Sequence, residues 1–100
     1  MQVMANAVEI GTLIDRDLTV RGGRPKIAGT GVTVMRVAGW YKRGFTPEEI
    51  AAQYGHLSLA QVHAALAYYH ANAEEIEADL ANEEDLAERL DSEFSPRAGR

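Results

Sequence analysis

The chain has 100 residues, of which 46% are hydrophobic, and its formal net charge is −5. This length and composition predict one small globular domain, whose modest core would gain from dimerisation. The absence of cysteine excludes a disulfide, a thiolate nucleophile and a cysteine metal site. Because the N-terminus lacks a signal-peptide pattern and no apolar run reaches the roughly 20 residues that span a bilayer, we expect a cytoplasmic protein without a membrane partner.

The charges divide sharply along the chain. Residues 1–45 carry a net charge of +4, whereas residues 46–93 combine twelve carboxylates with the single cation Arg89, which gives −11. Such asymmetry predicts two surfaces with different partners. The alternative is that the carboxylates only keep the helices of the second half soluble.

A short β-ribbon is predicted near the start of the chain. Residues 1–12 are expected to be a flexible arm, before a folded domain of residues 13–81. Between Leu13 and Val34, β-branched residues interrupted by glycines indicate two or three short strands. A ribbon this small must pack on helices or on a second chain.

Helices are predicted for the rest of the domain. The first begins near Val34 and ends at Gly44, a residue suited to a left-handed C-cap. The second begins with the capping box of Thr46 and Glu49, and it ends near Gly55.

The third helix opens with another capping box, from Ser58 to Gln61, and it is predicted to be long. From Leu59 to Leu80 its apolar residues recur at alternating spacings of three and four, which is the a/d pattern of a coiled-coil seam. Since a compact domain needs only the first turns of such a helix, we expect the later turns to pack on a partner. Residues 82–100 are predicted to be an acidic helical extension with a disordered tail.

The second and third helices form a helix-turn-helix unit, which raises the question of DNA binding. No Lys or Arg lies between Pro47 and Glu88, and phosphate attraction dominates DNA affinity, so we interpret the third helix as a packing scaffold. The cations that would have to hold DNA are therefore those of the ribbon and the first helix, Arg21, Arg24, Lys26, Arg36, Lys42 and Arg43. Ordinary solvated surface is the alternative interpretation of these side chains.

Catalytic and metal sites are not indicated by the sequence. The glycine-rich run matches neither a phosphate-binding loop nor a dinucleotide fingerprint, because no Gly-Lys-Ser/Thr follows and Val34 stands where the third glycine should be. His56, His63 and His70 are spaced by seven residues, whereas zinc ligands on a helix lie three or four apart. We expect no enzymatic activity, no metal, no cofactor and no small-molecule substrate.

Several stretches of the chain together form a recognisable pattern, namely Gly23–Thr30, Gly44–Ile50, Leu57–Val62, Ala65–Tyr69 and Glu75–Ile76. In this combination the chain, from about residue 13 to 80, resembles the bacterial and archaeal family called domain of unknown function 433. The resemblance implies an α+β fold, in which a short N-terminal β-ribbon precedes a homeodomain-like three-helix unit that is often dimeric. The residues expected to contact the second copy are Ile27, Val32, Val34 and Tyr69.

The resemblance also implies a function. Members are predicted antitoxins of type II toxin–antitoxin pairs, whose partner looks like a PIN-type nuclease. The ribbon and first helix would then face operator DNA, while an acidic segment would cover the cationic cleft of the nuclease. The expected partner-binding residues are Glu74, Glu75, Ile76, Leu80, Leu86 and Leu90. A DNA-binding regulator without a toxin partner and an oligomeric adaptor are the alternatives.

One position departs from the family pattern. Many members have Gly-Thr-Arg where this chain has Gly29, Thr30 and Gly31, so a cation that the family usually carries is missing. The glycine suggests a close backbone contact at this turn. The ribbon is accordingly as suited to pairing with a second copy as to contacting DNA.

Overall fold

The structure, a computed structural model, describes residues 7–94, and it describes side chains as far as residue 83. Its strands and α-helices in chain order are β1 (Ile14–Asp15), β2 (Lys26–Ile27), α1 (Val34–Lys42), α2 (Pro47–Tyr54), α3 (Leu59–Ala71) and α4 (Ala73–Phe94). Two short 3-10 helices add to these: Ile10–Leu13, which begins within the predicted arm, and Arg21–Gly23, between the strands. The architecture is α+β, with a two-stranded ribbon before the helices, as predicted. The start of the predicted arm and the end of the predicted tail lie outside the described residues.

The ribbon is antiparallel, and Ile14 lies opposite Ile27 in its register. The segment between the strands forms turns rather than a third strand, because the side chain of Asp17 accepts a hydrogen bond from the backbone N–H of Thr19 at 2.9 Å. After β2 the chain reverses at Gly29, whose φ of 79° favours glycine. This reversal delivers the chain directly to the start of α1.

The predicted helix starts are confirmed. The side chain of Thr33 caps α1 by accepting a hydrogen bond from the backbone N–H of Arg36. Both predicted capping boxes are present, at Thr46 for α2 and at Ser58 for α3. Gly55 ends α2 in the left-handed conformation, with φ of 75°.

The predicted long third helix is divided in two by a break at Asn72. This residue has φ −132° and ψ 45°, outside helical values. Its side-chain amide donates to the carbonyl oxygen of Tyr68 at 3.2 Å, and its own carbonyl accepts from the backbone N–H of Ile76, also at 3.2 Å. Asn72 therefore closes α3 and opens α4, and α4 continues without interruption through the domain boundary predicted at residue 81.

The ribbon and all four helices contribute to one core. The largest fully buried side chains are Ile27, Ile50, Ile76, Val34, Val37, Val62 and Pro25. Ile27 and Val34 have no exposed surface and Tyr69 is buried, so these predicted dimer residues pack inside a single chain. Val32 is half-buried against the same core.

Ile76 and Leu80 were predicted to bind a partner, but the structure places both within the chain. Ile76 has no exposed surface, and Leu80 is half-buried against the core. These side chains attach α4 to the rest of the molecule, because the turn at Asn72 brings them back over α1 and α3. Within the residues that the structure describes, no helix is long and apolar enough to cross a membrane.

The burial of Ile76 makes a direct prediction about stability. Ile76→Ala is expected to lower the free energy of unfolding by about 2–5 kcal/mol, because it leaves a cavity between α4 and the core. Leu59→Ala is the matched control, since Leu59 is 41% exposed, and it should cost about 1 kcal/mol or less. Urea unfolding of the purified chain measures both values. Equal losses for the two variants would contradict the packing of α4.

Candidate functional site

Two helices, α1 and α4, run antiparallel and frame the site. Lys42, the last residue of α1, pairs with Glu77 near the start of α4, with 2.6 Å between Nζ and Oε1. In the middle of α1, Gly39 lies against α4, and a Cβ built on it would make an ordinary contact with the Cδ2 of Leu80, at 3.6 Å. Running in this direction, α4 passes along the whole of α1 toward its N-terminal end.

A groove of about 480 Å³ opens at that N-terminal end. Three arginines, two aromatic rings and one carboxylate line it, and these are Arg21, Arg24, Arg36, Trp40, Tyr54 and Glu83. A second groove of about 340 Å³ lies between α1 and α4 and adds Lys42 and Arg43 to the lining. Because both grooves contain Arg36, Trp40 and Glu83, they form one continuous cationic surface. Five of the six cations predicted to bind DNA are therefore brought together here.

Arg21, which lines the groove, has a strained backbone conformation. Its φ of 51° is the only positive value of a non-glycine residue in the described part of the chain, and such a conformation costs about 1–3 kcal/mol. Its Nε donates to the carbonyl oxygen of Gly31 at 3.0 Å. A Cβ built on Gly31 would lie 3.3 Å from the Nη2 of Arg21. The close contact expected at Gly31 is thus made by an arginine, which brings a cation to the turn where the family pattern has its own.

The aromatic wall of the groove is fixed from two sides. The indole N–H of Trp40 donates to the hydroxyl of Tyr54 at 3.0 Å. Phe45 packs edge-on against the Trp40 ring, with 4.9 Å between ring centroids. The guanidinium of Arg43 lies 5.5 Å from the centre of the same ring, which is within cation–π range. These contacts fix the position of the Trp40 ring in the groove.

Lys26 is the predicted DNA-binding cation that lies elsewhere. It is buried in the ribbon, and its Nζ pairs with the carboxylate of Asp15 at 2.9 Å. Asp15 and Lys26 face each other in the register of β1 and β2. The ammonium group is therefore committed to the ribbon, where a phosphate could reach it only by displacing Asp15.

Carboxylates of α4 pair with cations of the N-terminal half of the chain. The three pairs are Arg16–Glu75 at 2.5 Å, Lys42–Glu77 at 2.6 Å and Arg24–Asp79 at 3.8 Å. Sequence analysis assigned the two charge blocks to separate surfaces, whereas the structure places them in contact. Two predicted DNA-binding cations and one predicted partner-binding carboxylate are neutralised by these pairs.

Arg16 is a functional residue that sequence analysis missed. Its guanidinium donates to Glu75 on α4, to the hydroxyl of Tyr68 on α3 at 2.9 Å and to the carbonyl of Gly23 at 3.2 Å. The hydrogen bond to Glu75 raises the pKa of Arg16 above its ordinary value. No motif marks this residue, and only its charge, opposite to that of α4, could have indicated the contact.

The ion pairs shift the pKa values of the groups on α4. The hydrogen bonds from Lys42 and Tyr69 hold the pKa of Glu77 below its ordinary value. The hydrogen bond that the hydroxyl of Tyr69 donates to Glu77 also raises the pKa of Tyr69. Burial raises the pKa of Asp79, and the nearby Arg24 only partly opposes this effect. Glu77 is therefore stabilised in its ionised form at this surface, and Asp79 is not.

The remaining predicted partner-binding residues divide between the two ends of α4. Glu74 is exposed in the first turn. Leu86 and Leu90 fall on the helical backbone of α4, but their side chains lie outside those that the structure describes. Among the described side chains, no group of three or more His, Asp or Glu residues could hold a metal ion.

Comparison with known proteins gives one family and one solved relative. The family model of a protein of unknown function, DUF433, matches residues 14–69, which is more than half of the chain. A crystal structure of a DUF433 member protein from Anabaena variabilis is similar, with a TM-score of 0.66 and 28% sequence identity over 70% of this chain and 69% of that one. Among curated proteins, none matches this chain.

The lowered pKa of Glu77 predicts a pH-dependent stability. An unfolded Glu77 titrates at its ordinary, higher pKa, so the folded state gains stability above that value and loses it as pH falls through the folded pKa. Glu77→Gln should therefore lower the thermal unfolding midpoint at neutral pH, and the difference from wild type should shrink as the pH falls below the ordinary pKa of a glutamate and through the lowered pKa of folded Glu77. Glu74→Gln, in the same region of α4 but exposed, is the control. Identical pH profiles for the two variants would count against the pairing of Glu77.

Proposed function

The chain belongs to the DUF433 family, and from this premise we propose that it is an antitoxin-like protein of the cytoplasm, without catalytic activity of its own. In this proposal the C-terminal part of α4 binds and inhibits a PIN-like nuclease toxin. The cationic groove at the N-terminal end of α1 binds operator DNA. The observation that carries the proposal is the length of α4 compared with the helix on which it packs.

At 1.5 Å per residue, the 22 residues of α4 measure about 33 Å, and the nine residues of α1 about 13 Å. Because the helices are antiparallel and Glu83 already lines the groove at the N-terminal end of α1, α4 reaches that end near Glu83. Residues 84–94 then form about 16 Å of further helix that extends past α1. A helix that extends past the element on which its first turns pack is well placed to contact another protein.

The sequence of this projecting segment suits a basic partner. Leu86 and Leu90 are four residues apart and so lie on one helical face. The carboxylates around them are Glu84, Asp85, Glu88, Asp91 and Glu93. An amphipathic acidic helix fits an apolar groove with a cationic rim, as in the cleft of a nuclease that binds RNA phosphates. Because Ile76 and Leu80 pack against the core, the proposed partner contacts lie in the segment beyond Glu83.

The toxin-binding part is tested with the nuclease encoded beside this protein's gene. The double variant Leu86→Asp, Leu90→Asp should lose copurification with that nuclease and should no longer inhibit RNA cleavage, because two charges would enter the apolar contact. Leu18→Asp is the control, since Leu18 is 87% exposed on the ribbon side of the chain. An adjacent gene without a nuclease, or inhibition unaffected by the double variant, would overturn this part.

The DNA-binding part is supported by the three guanidinium groups of the groove. Arg21, Arg24 and Arg36 come from two separate segments of the chain and converge on one opening. Arginine suits phosphate because its planar fork presents several donors. A homodimer belongs to this proposal, since two grooves would match the two half-sites of an operator. Val32, the most exposed of the four predicted dimer residues, lines the groove and lies at the right place for such a contact.

The second candidate function is a DNA-binding regulator without a toxin partner, which the same groove favours. It differs from the first only in the role of the segment beyond Glu83. Recovery of no nuclease together with retained DNA binding would select this candidate.

DNA binding through the groove is tested with the double variant Arg21→Ala, Arg36→Ala. Its affinity for duplex DNA from upstream of its own gene should fall by about tenfold or more, and its salt slope should decrease by about 1–2, because phosphate contacts are lost. Fluorescence anisotropy at several salt concentrations measures both. The charge-matched control is Arg97→Ala, Arg100→Ala, outside the described residues. An equal loss for both variants would indicate attraction by net charge rather than by the groove.

A further inference from the structure

Carboxylates of α4 lie beside the cations of the groove. Glu83 lines both grooves, whereas Asp79 lines neither but lies 3.8 Å from Arg24, one of the three arginines of the larger groove. Lys42 of the smaller groove is paired with Glu77. These three carboxylates face the cations along the route that α4 follows past α1. An anion entering the groove would meet the same guanidinium and ammonium groups.

The contacts at the rim are weaker than those that anchor the helix. Ile76 and Leu80 attach α4 through apolar burial, which requires no charge. The Arg24–Asp79 pair, by contrast, is long, and the side chain of Arg24 is 36% exposed, although that of Asp79 is only 18% exposed. Partly exposed ion pairs contribute little to stability and are screened by salt. Burial also raises the pKa of Asp79, so its ionised form is poorly stabilised where it stands. The rim can therefore exchange partners while α4 stays docked.

We propose that α4 is an intramolecular competitor for the groove, and that its carboxylates Asp79 and Glu83 weaken the binding of nucleic-acid phosphates to Arg24 and Arg36. This inference rests on the proposed binding of DNA to the same groove. A phosphate binds by displacing Asp79 from Arg24 and by displacing Glu83 from the groove.

The test uses the full chain with Asp79→Asn and Glu83→Gln together, and with Glu83→Gln alone. The probe is a fluorescent DNA duplex from upstream of the gene, measured by anisotropy at about 50 mM and about 200 mM salt. The double variant should bind about fivefold or more tightly than wild type at the lower salt, and less of this gain should remain at the higher salt. The single variant should give a smaller increase in DNA affinity. If the double variant unfolds at a lower temperature than wild type, the single variant is the one compared with wild type.

The matched control is Glu48→Gln with Glu74→Gln, which removes the same two charges from exposed positions outside the lining of the grooves. Its affinity should change by less than about twofold, because only the net charge differs. If the rim variants strengthen DNA binding no more than the control variant does, the proposed competition is overturned but the proposed DNA binding stands. Absence of duplex binding by every variant would overturn the proposed DNA binding, and the competition with it.

Discussion

The docking of α4 on α1 is the contact on which the rest of the structure depends. Ile76 of α4 is fully buried in the core, and Leu80 of the same helix lies against Gly39 of α1. The ionic contacts of Arg16 and Lys42 then fix the rotation of α4 about its axis. Apolar burial supplies the stability of this arrangement, since exposed ion pairs contribute little. Its antiparallel direction carries the acidic end of the chain to the cationic groove.

Local sequence signals predicted the elements well but failed at their long-range arrangement. The capping boxes at Thr46 and Ser58 depend on residues only three positions apart, so the sequence determines them directly. The apolar repeat from Leu59 to Leu80 was misleading, because the same spacing serves one long helix and two helices folded on one core. Asn72 was the available signal for the break, since its side chain competes for backbone hydrogen bonds.

The sequence shows which cations are candidates for the site, but it does not show how they are arranged on the surface. Their clustering in residues 1–45 is visible in the sequence, and five of the six meet at the grooves. Lys26 was wrongly grouped with these cations, because the sequence shows its charge but does not show that it lies opposite Asp15 in the ribbon. The pairing of Arg16 with Glu75 joins residues 59 positions apart. Contacts over such separations depend on how α4 folds back, which no short pattern encodes.

The turn at Gly31 receives its cation from Arg21, ten positions earlier in the chain. A side chain at residue 31 would meet the guanidinium of Arg21, which hydrogen-bonds to the carbonyl oxygen of Gly31 itself. Arg21 accepts a left-handed backbone to make this contact, and strain of that kind persists only where the surroundings enforce it. A solvated surface cation would have no reason to hold such a conformation. The strain at Arg21 therefore favours a positioned arginine, whose charge at the groove is set by the fold rather than by net composition.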